Sequence, residues 1–64
     1  MKYRAIWEVQ GKRYIVFPKS RKTSFFRSAE SAAVALEKRA RRYPENTRGL
    51  VEATDGTLAL VIAL

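Results

Sequence analysis

The 64-residue chain contains no cysteine and no histidine. Without cysteine there is no disulfide and no thiolate metal site. Without histidine, the residue used most often as a general base and metal ligand is missing as well. The six acidic residues show no spacing typical of a catalytic or metal-binding pair. The sequence therefore predicts a non-enzymatic protein that carries no cofactor.

Long apolar runs are also missing. The longest, residues 58–64, is far shorter than the about 20 apolar residues that a membrane-spanning helix needs. The first residues alternate as in a strand and do not form the apolar segment of a signal peptide. We therefore expect a cytoplasmic protein without membrane contact. The length is that of a single domain, residues 1–64.

Acidic residues are scarce, too. There are 13 Lys and Arg against 6 Asp and Glu, which gives a net charge of +7 at pH 7. An excess of this size favours a negatively charged partner, either nucleic acid or an acidic protein surface. The bases are concentrated between Lys12 and Arg27, where the chain has six of them and no acid. Four aromatic residues lie in the same segment: Tyr14, Phe17, Phe25 and Phe26.

The residues from Ser28 to Tyr43 are typical of one amphipathic helix. Small and apolar residues recur at the three- and four-residue spacing that places side chains on one helix face. They are Ala29, Ala32, Ala33, Leu36, Ala40 and Tyr43. Ser28 is suitable as the N-cap, and Pro44 should end the helix because the residue before a proline avoids the helical conformation. Since the stripe is mostly alanine, we expect this helix to lie close to a sheet.

Alternating residues on both sides of the helix predict two hairpins. In the first, a loop at Gln10-Gly11 would place Trp7 opposite Tyr14 and Ile6 opposite Ile15. A loop at Gly11-Lys12 would move these pairs but keep each residue on its face. In the second, Asp55-Gly56 is a strong hairpin signal between residues 49–54 and 57–64. A two-residue loop there would place Val51 opposite Leu60. Thr23 to Phe26 is either a short additional strand or an extended lead into the helix.

This order, β-β-(β)-α-β-β, predicts a two-layer α+β fold with one mainly antiparallel sheet of four or five strands and one helix on one face. The expected core is Tyr3, Trp7, Val9, Tyr14, Val16, Leu36, Ala40, Val51, Leu58, Leu60 and Ile62. One helix cannot cover both faces of the sheet. Five apolar residues are therefore expected on the uncovered face, where a second copy or a partner would bind. They are Ile6, Ile15, Phe17, Leu50 and Val61.

The candidate binding residues are all basic, because cations displace the counterions condensed on a phosphate backbone. They are Arg4, Lys12, Arg13, Lys19, Arg21, Lys22, Arg27, Lys38, Arg41 and Arg42. The exposed aromatic residues among them could stack on unpaired bases. The alternative is that the loop bases are simply solvated, and that those at the helix C-terminus only complement the helix dipole.

One stretch resembles known DNA-binding modules. Gly11-Lys12-Arg13-Tyr14 precedes the second predicted strand. Phe25-Phe26 is followed by Ser28-Ala29-Glu30-Ser31-Ala32-Ala33 at the start of the helix. In this, residues 3–43 resemble the three-strand-plus-helix modules of the AP2 type and of phage integrase arm-binding domains. The resemblance implies DNA reading by the sheet through Arg4, Arg13, Lys19, Arg21 and Lys22.

A second class of protein fits the size and layout. The chain is similar to small phage inhibitors, such as anti-CRISPR proteins and inhibitors of host RNA polymerase. That resemblance implies contact with an acidic protein surface of a host nucleic-acid complex. Nucleic acid is the leading hypothesis, and the protein-directed inhibitor is the alternative.

Overall fold

The structure is a computed structural model that describes residues 2–18, 22–42 and 45–64. It contains four strands, β1 (Tyr3–Val9), β2 (Lys12–Val16), β3 (Thr47–Ala53) and β4 (Leu58–Ala63). One helix, α1 (Ala29–Arg39), continues into a 3₁₀ turn over Ala40–Arg42. The strands form one antiparallel sheet in the order β2-β1-β3-β4, and α1 packs on one face of it. The predicted α+β fold is confirmed.

Helix α1 begins as predicted. The Ser28 side-chain oxygen accepts a hydrogen bond from the Ser31 backbone N–H at 3.1 Å, which satisfies one of the free donors at the helix start. The α-helical part ends at Arg39, earlier than predicted, and the 3₁₀ turn then tightens the chain. The predicted end at residues 43–44 lies outside the described residues. Within the described chain, no helix is long and apolar enough to cross a membrane.

The first hairpin has the predicted register. Trp7 lies opposite Tyr14, and Ile6 lies opposite Ile15. Gln10 and Gly11 both have positive φ, of 50° and 81°, as the tight type I′ turn requires at its two central positions. The turn geometry and the alternation of the sequence therefore agree, and together they fix which residues face the helix.

The predicted register of the second hairpin is wrong by one residue for the pairs next to the loop. Val51 lies opposite Ala59, and Leu60 lies opposite Leu50. The loop has three residues, because the Ala53 N–H donates to the Thr57 carbonyl at 2.9 Å. A shift of one residue moves every side chain of a strand to the other face.

The consequence for β4 is that its leucines leave the core. Leu58 and Leu60 lie on the uncovered face and are exposed, and the predicted core position of Tyr14 is wrong as well. A register shift between Gly49 and Leu50 marks a β-bulge at Val61, so that Ile62 lies opposite Gly49. Beyond the bulge, Ile62 packs against the core as predicted.

The core lies under α1 on the two central strands. Its buried members are Ala5, Trp7, Val16, Ala32, Leu36 and Val51. The predicted close approach of helix and sheet occurs at Gly49. A Cβ added there would lie 3.5 Å from Leu36 Cδ1. Because α1 packs mainly on β1 and β3, the outer parts of both edge strands extend beyond its cover.

The segment before α1 forms a single bridge rather than a fifth strand. The Tyr3 N–H donates to the Phe26 carbonyl at 3.0 Å, and the Phe26 N–H donates to the Tyr3 carbonyl. On its other side Tyr3 pairs with Ala53 of β3. Phe26 therefore lies on the β2 side of the sheet, where it continues the edge beyond Val16.

Candidate nucleic-acid interface

The helix-covered face of β2 presents a base and an aromatic ring at the edge of the sheet. Tyr14 lies opposite the core residue Trp7, and Val16 lies opposite Ala5, so both point towards the helix layer. Lys12 shares their face because successive side chains of a strand alternate. Val16 is buried, but Tyr14 lies beyond the helix and is 50% exposed.

A groove runs between this strand and α1. Its volume is about 360 Å³, and it is open to solvent. The residues that line it are Val16, Phe17, Pro18, Phe26, Ser31, Val34, Ala35, Lys38 and Arg39. The floor is apolar, the ring of Phe17 is 52% exposed, and two cations stand on the helix side. We name it the basic groove.

The helix presents this set of residues because of its period. Ala32 and Leu36 point into the core. The residues that precede them by one position, or follow them by two or three positions, point to the β2 side of the helix. Lys38 and Arg39 fall there in the last turn, where cations also complement the helix dipole. Within the described chain, no ion pair holds Lys12, Lys38 or Arg39. Their charges are therefore available to an external anion.

The uncovered face of the sheet has a different character. One apolar row crosses all four strands, each residue directly opposite the next: Ile15, Ile6, Leu50 and Leu60. The two central members are buried, and the two at the edges are exposed. Rows of charged residues run on both sides of it.

The charged rows are engaged in ion pairs within the chain. Glu8 accepts hydrogen bonds from both Arg13, at 3.2 Å, and Arg48, and these two guanidinium groups hold the pKa of Glu8 below its ordinary value of 4.5. Arg4 lies 3.8 Å from Glu52 and stacks 4.6 Å from the Phe25 ring centre. Two of the predicted binding residues, Arg4 and Arg13, are therefore already engaged.

The remaining predicted bases that the structure describes lie before and after the helix, and Arg41 lines a shallow depression together with Lys38. Lys22 and Arg27 are exposed before the helix, and Arg41 and Arg42 are exposed in the 3₁₀ turn after it. Lys19 and Arg21 lie outside the described residues. The structure thus brings Lys12 and Lys38 to one side of the molecule, and Arg4 and Arg13 to the uncovered face.

Of the five residues predicted as an apolar interface, Ile15, Ile6 and Leu50 lie in the apolar row of the uncovered face, and Phe17 and Val61 do not. Ile6 and Leu50 are buried on the central strands, whereas Ile15 and Phe17 are exposed. Val61 lies on the helix side, where it lines a groove with Val51 and Ala33. The register shift of β4 is the reason why Val61 lies on the helix side.

Sequence reasoning missed the exposure of two residues and left a third, Arg39, out of the candidate set. Tyr14 was expected in the core because it faces Trp7, and Leu60 was expected there because of the assumed two-residue loop. Arg39 belongs to the same basic run as Lys38. Its position three residues after Leu36 was the signal that places it beside the groove.

The described acidic residues offer no metal site. No group of three or more among the described Asp and Glu residues is placed to hold an ion. The N–H of Thr57 donates to Asp55 at 2.9 Å and lowers the pKa of that carboxyl, so Asp55 serves to hold the turn.

No family model, no curated protein and no solved structure matches the chain. The two resemblances therefore stay predictions.

Proposed function

We propose that this chain binds single-stranded nucleic acid along the basic groove. The observation that carries the proposal is that the half-exposed Phe17 lines the groove together with Lys38 and Arg39, two cations that no described ion pair engages. The half-exposed Tyr14 and Lys12 precede it on the helix-covered face of β2. Proteins that bind single strands combine a positive groove for the backbone with aromatic rings on which bases stack. Lys12, Lys38 and Arg39 would bind the phosphate backbone, and the rings of Tyr14 and Phe17 would stack on the nucleobases.

The groove is a better phosphate site than the uncovered sheet face. On that face, Arg4 and Arg13 have carboxylate partners, so a phosphate would have to compete with an existing ion pair. In the groove, a phosphate would displace only water and mobile anions from Lys38 and Arg39. The gain from counterion release is then available in full.

A single strand fits better than a duplex. The bases of a duplex are stacked on one another, so exposed rings on the protein would find no free base surface. Each base that stacks on an aromatic residue is worth about 1–3 kcal/mol. Lys19, Arg21 and Lys22 follow in the sequence after Pro18, which lines the groove.

The test is a binding titration of labelled single-stranded and duplex oligonucleotides at two salt concentrations. The double variant Lys38→Ala/Arg39→Ala should bind single strands more weakly, with a salt slope flatter by about 0.7 for each lost contact. The matched control, Arg13→Gln/Arg48→Gln, removes the same charge from the uncovered face. It should lose less affinity, because those arginines are engaged with Glu8.

Equal losses of affinity in the two double variants would mean that the groove contributes only net charge, and this would contradict the proposal. Tyr14→Ala separates stacking from charge. It should weaken binding by about 1–3 kcal/mol and leave the salt slope unchanged. If the wild-type chain binds no oligonucleotide even at low salt, the alternative partner, an acidic protein surface, takes the place of nucleic acid.

A further inference from the structure

Strand β4 is the second edge of the sheet, and it lacks the usual protection of an edge. Natural edge strands are kept from pairing with other chains by charges, prolines, bulges or short length. Residues 57–64 contain no charge and no proline, and the side chains of Leu58, Leu60 and Val61 are exposed. The bulge at Val61 is the one protective feature, and it leaves residues 57–60 as a regular edge.

The main-chain groups of this edge have a defined direction. The Thr57 carbonyl accepts from the Ala53 N–H, so the Thr57 main chain faces β3. Successive residues of an antiparallel strand direct their N–H and C=O groups to opposite sides. The N–H and C=O groups of Leu58 and Leu60 therefore point away from the sheet. Both leucine side chains lie on the uncovered face, since Leu60 is opposite Leu50.

We propose that a second copy of the chain pairs with this edge, antiparallel, about a twofold axis at Ala59. The sequence Leu58-Ala59-Leu60 is symmetric about its central residue. In this register, Leu58 of each copy faces Leu60 of the other, and each such pair exchanges two main-chain hydrogen bonds. Both leucines offer their outward groups to the same partner strand, so every outward donor and acceptor of residues 57–60 is satisfied.

The same pairing continues the apolar surfaces on both faces. On the uncovered face, the row that ends at Leu60 is extended by the leucines of the second copy. On the helix side, Val61 and Ala59 border an apolar groove of about 300 Å³ below Ala29 and Ala33. The pairing brings Thr57 and Val61 of the second copy to the side of this groove.

The absence of charge at this edge favours a second copy of the chain as the partner. Two chains of net charge +7 repel one another, and the repulsion is weakest where the approaching surfaces have no cations. Residues 57–64 are such a surface, whereas the β2 edge carries Lys12 and Arg13. An acidic partner would be attracted to β2 instead. The partner strand at β4 should be apolar and uncharged, and residues 57–61 of this chain have that character.

Sedimentation equilibrium over a wide concentration range tests the association. The wild-type chain should form a dimer reversibly. Leu60→Lys introduces the kind of charge that protects natural edges and should leave a folded monomer. The matched control is Ile15→Lys at the other end of the same row, where the exposed fraction is 45% against 57% for Leu60. It should dimerise as the wild type does.

Disulfide trapping tests the register. The chain has no cysteine, so Ala59→Cys and Ala63→Cys each provide one thiol. Ala59 would lie opposite its own copy in a non-hydrogen-bonded pair, with Cα atoms about 4.5 Å apart, within disulfide range. Mild oxidation should cross-link Ala59→Cys much faster than Ala63→Cys.

Three results would overturn the proposal: a wild-type chain that stays monomeric at millimolar concentration, loss of the dimer in Ile15→Lys but not in Leu60→Lys, or equal cross-linking of the two cysteine variants. The second would indicate that the uncovered faces pack together. Binding of an apolar peptide to β4 of a strictly monomeric chain would assign the edge to a different partner. None of these results depends on nucleic-acid binding.

Discussion

The two edge strands of this sheet differ in almost every property except exposure. Strand β2 carries Lys12 and Arg13 and is followed by Pro18, which cannot donate a ladder hydrogen bond. Strand β4 has no charged residue and no proline. One edge therefore repels other cationic chains and attracts anions, while the other is open to a further strand. Two edges of one small sheet can serve two kinds of partner.

The distribution of charge along the chain gives the same division. Residues 1–27 contain eight bases and one acid, whereas residues 28–64 contain five of each. The whole net charge of the protein thus comes from the part that forms β1, β2 and the segment before the helix. Of the concentrated bases of the second part, Lys38 and Arg39 are placed on the β2 side by the helix.

The largest effect on stability should come from the core that supports both edges. Trp7 is fully buried, and Trp7→Ala should lower the free energy of unfolding by about 3–5 kcal/mol. Tyr14 lies directly opposite it on the edge, and Tyr14→Ala should cost only about 0.2–1 kcal/mol. Urea unfolding measures both. Equal losses of stability would mean that the β2 edge is part of the core. If Trp7→Ala does not fold, Trp7→Phe is a milder variant for the same comparison.

The turns that hold the two edges should be the next most sensitive positions. Gly11 and Gly56 have φ of 81° and 92°, where a Cβ costs about 1–2 kcal/mol. Alanine at either position should lower stability by that amount in thermal or urea unfolding. Gly49→Ala is the control. Its φ is not positive, and the new Cβ would be in contact with Ile62 Cβ at 3.4 Å and Leu36 Cδ1 at 3.5 Å without overlap, so alanine there should cost less than at Gly11 or Gly56.

A smaller effect should appear at acid pH on the uncovered face. The arginines beside Glu8 lower its pKa in the folded chain, so its stabilising contribution is complete above pH 4.5. That contribution is lost as the pH falls through the lowered pKa. Glu8→Gln should therefore show a weaker fall in stability between neutral and acid pH, with the part due to Asp55 remaining. An identical pH dependence in both chains would show that the pair does not stabilise the fold.

The first hairpin could be predicted from the sequence, and the second could not. In the first, alternation and the turn at Gln10-Gly11 give the same register. In β4, both faces are apolar, so the alternation does not select a register and the loop alone decides. Asp55-Gly56 is compatible with a loop of two or three residues. The structure has three, with Gly56 at positive φ after the Asp55 turn.

The candidate site was predictable in its chemistry but not in its geometry. The basic and aromatic residues between Lys12 and Arg27 were visible in the sequence. Which of the predicted cations are engaged within the chain depends on contacts that the basic segment does not contain: Glu52 engages Arg4, and Glu8 engages Arg13 together with Arg48. The exposure of Tyr14 depends on how far α1 reaches across the sheet, which no local pattern contains.

The most direct test of the difference between the two edges is an amide chemical-shift titration of the isotope-labelled chain with a short single-stranded oligonucleotide. We expect shifts at Tyr14, Phe17, Val34, Lys38 and Arg39, with the amides of residues 58–63 unchanged at constant protein concentration. Shifts confined to the uncovered face or to β4, or no shift at low salt, would contradict the account.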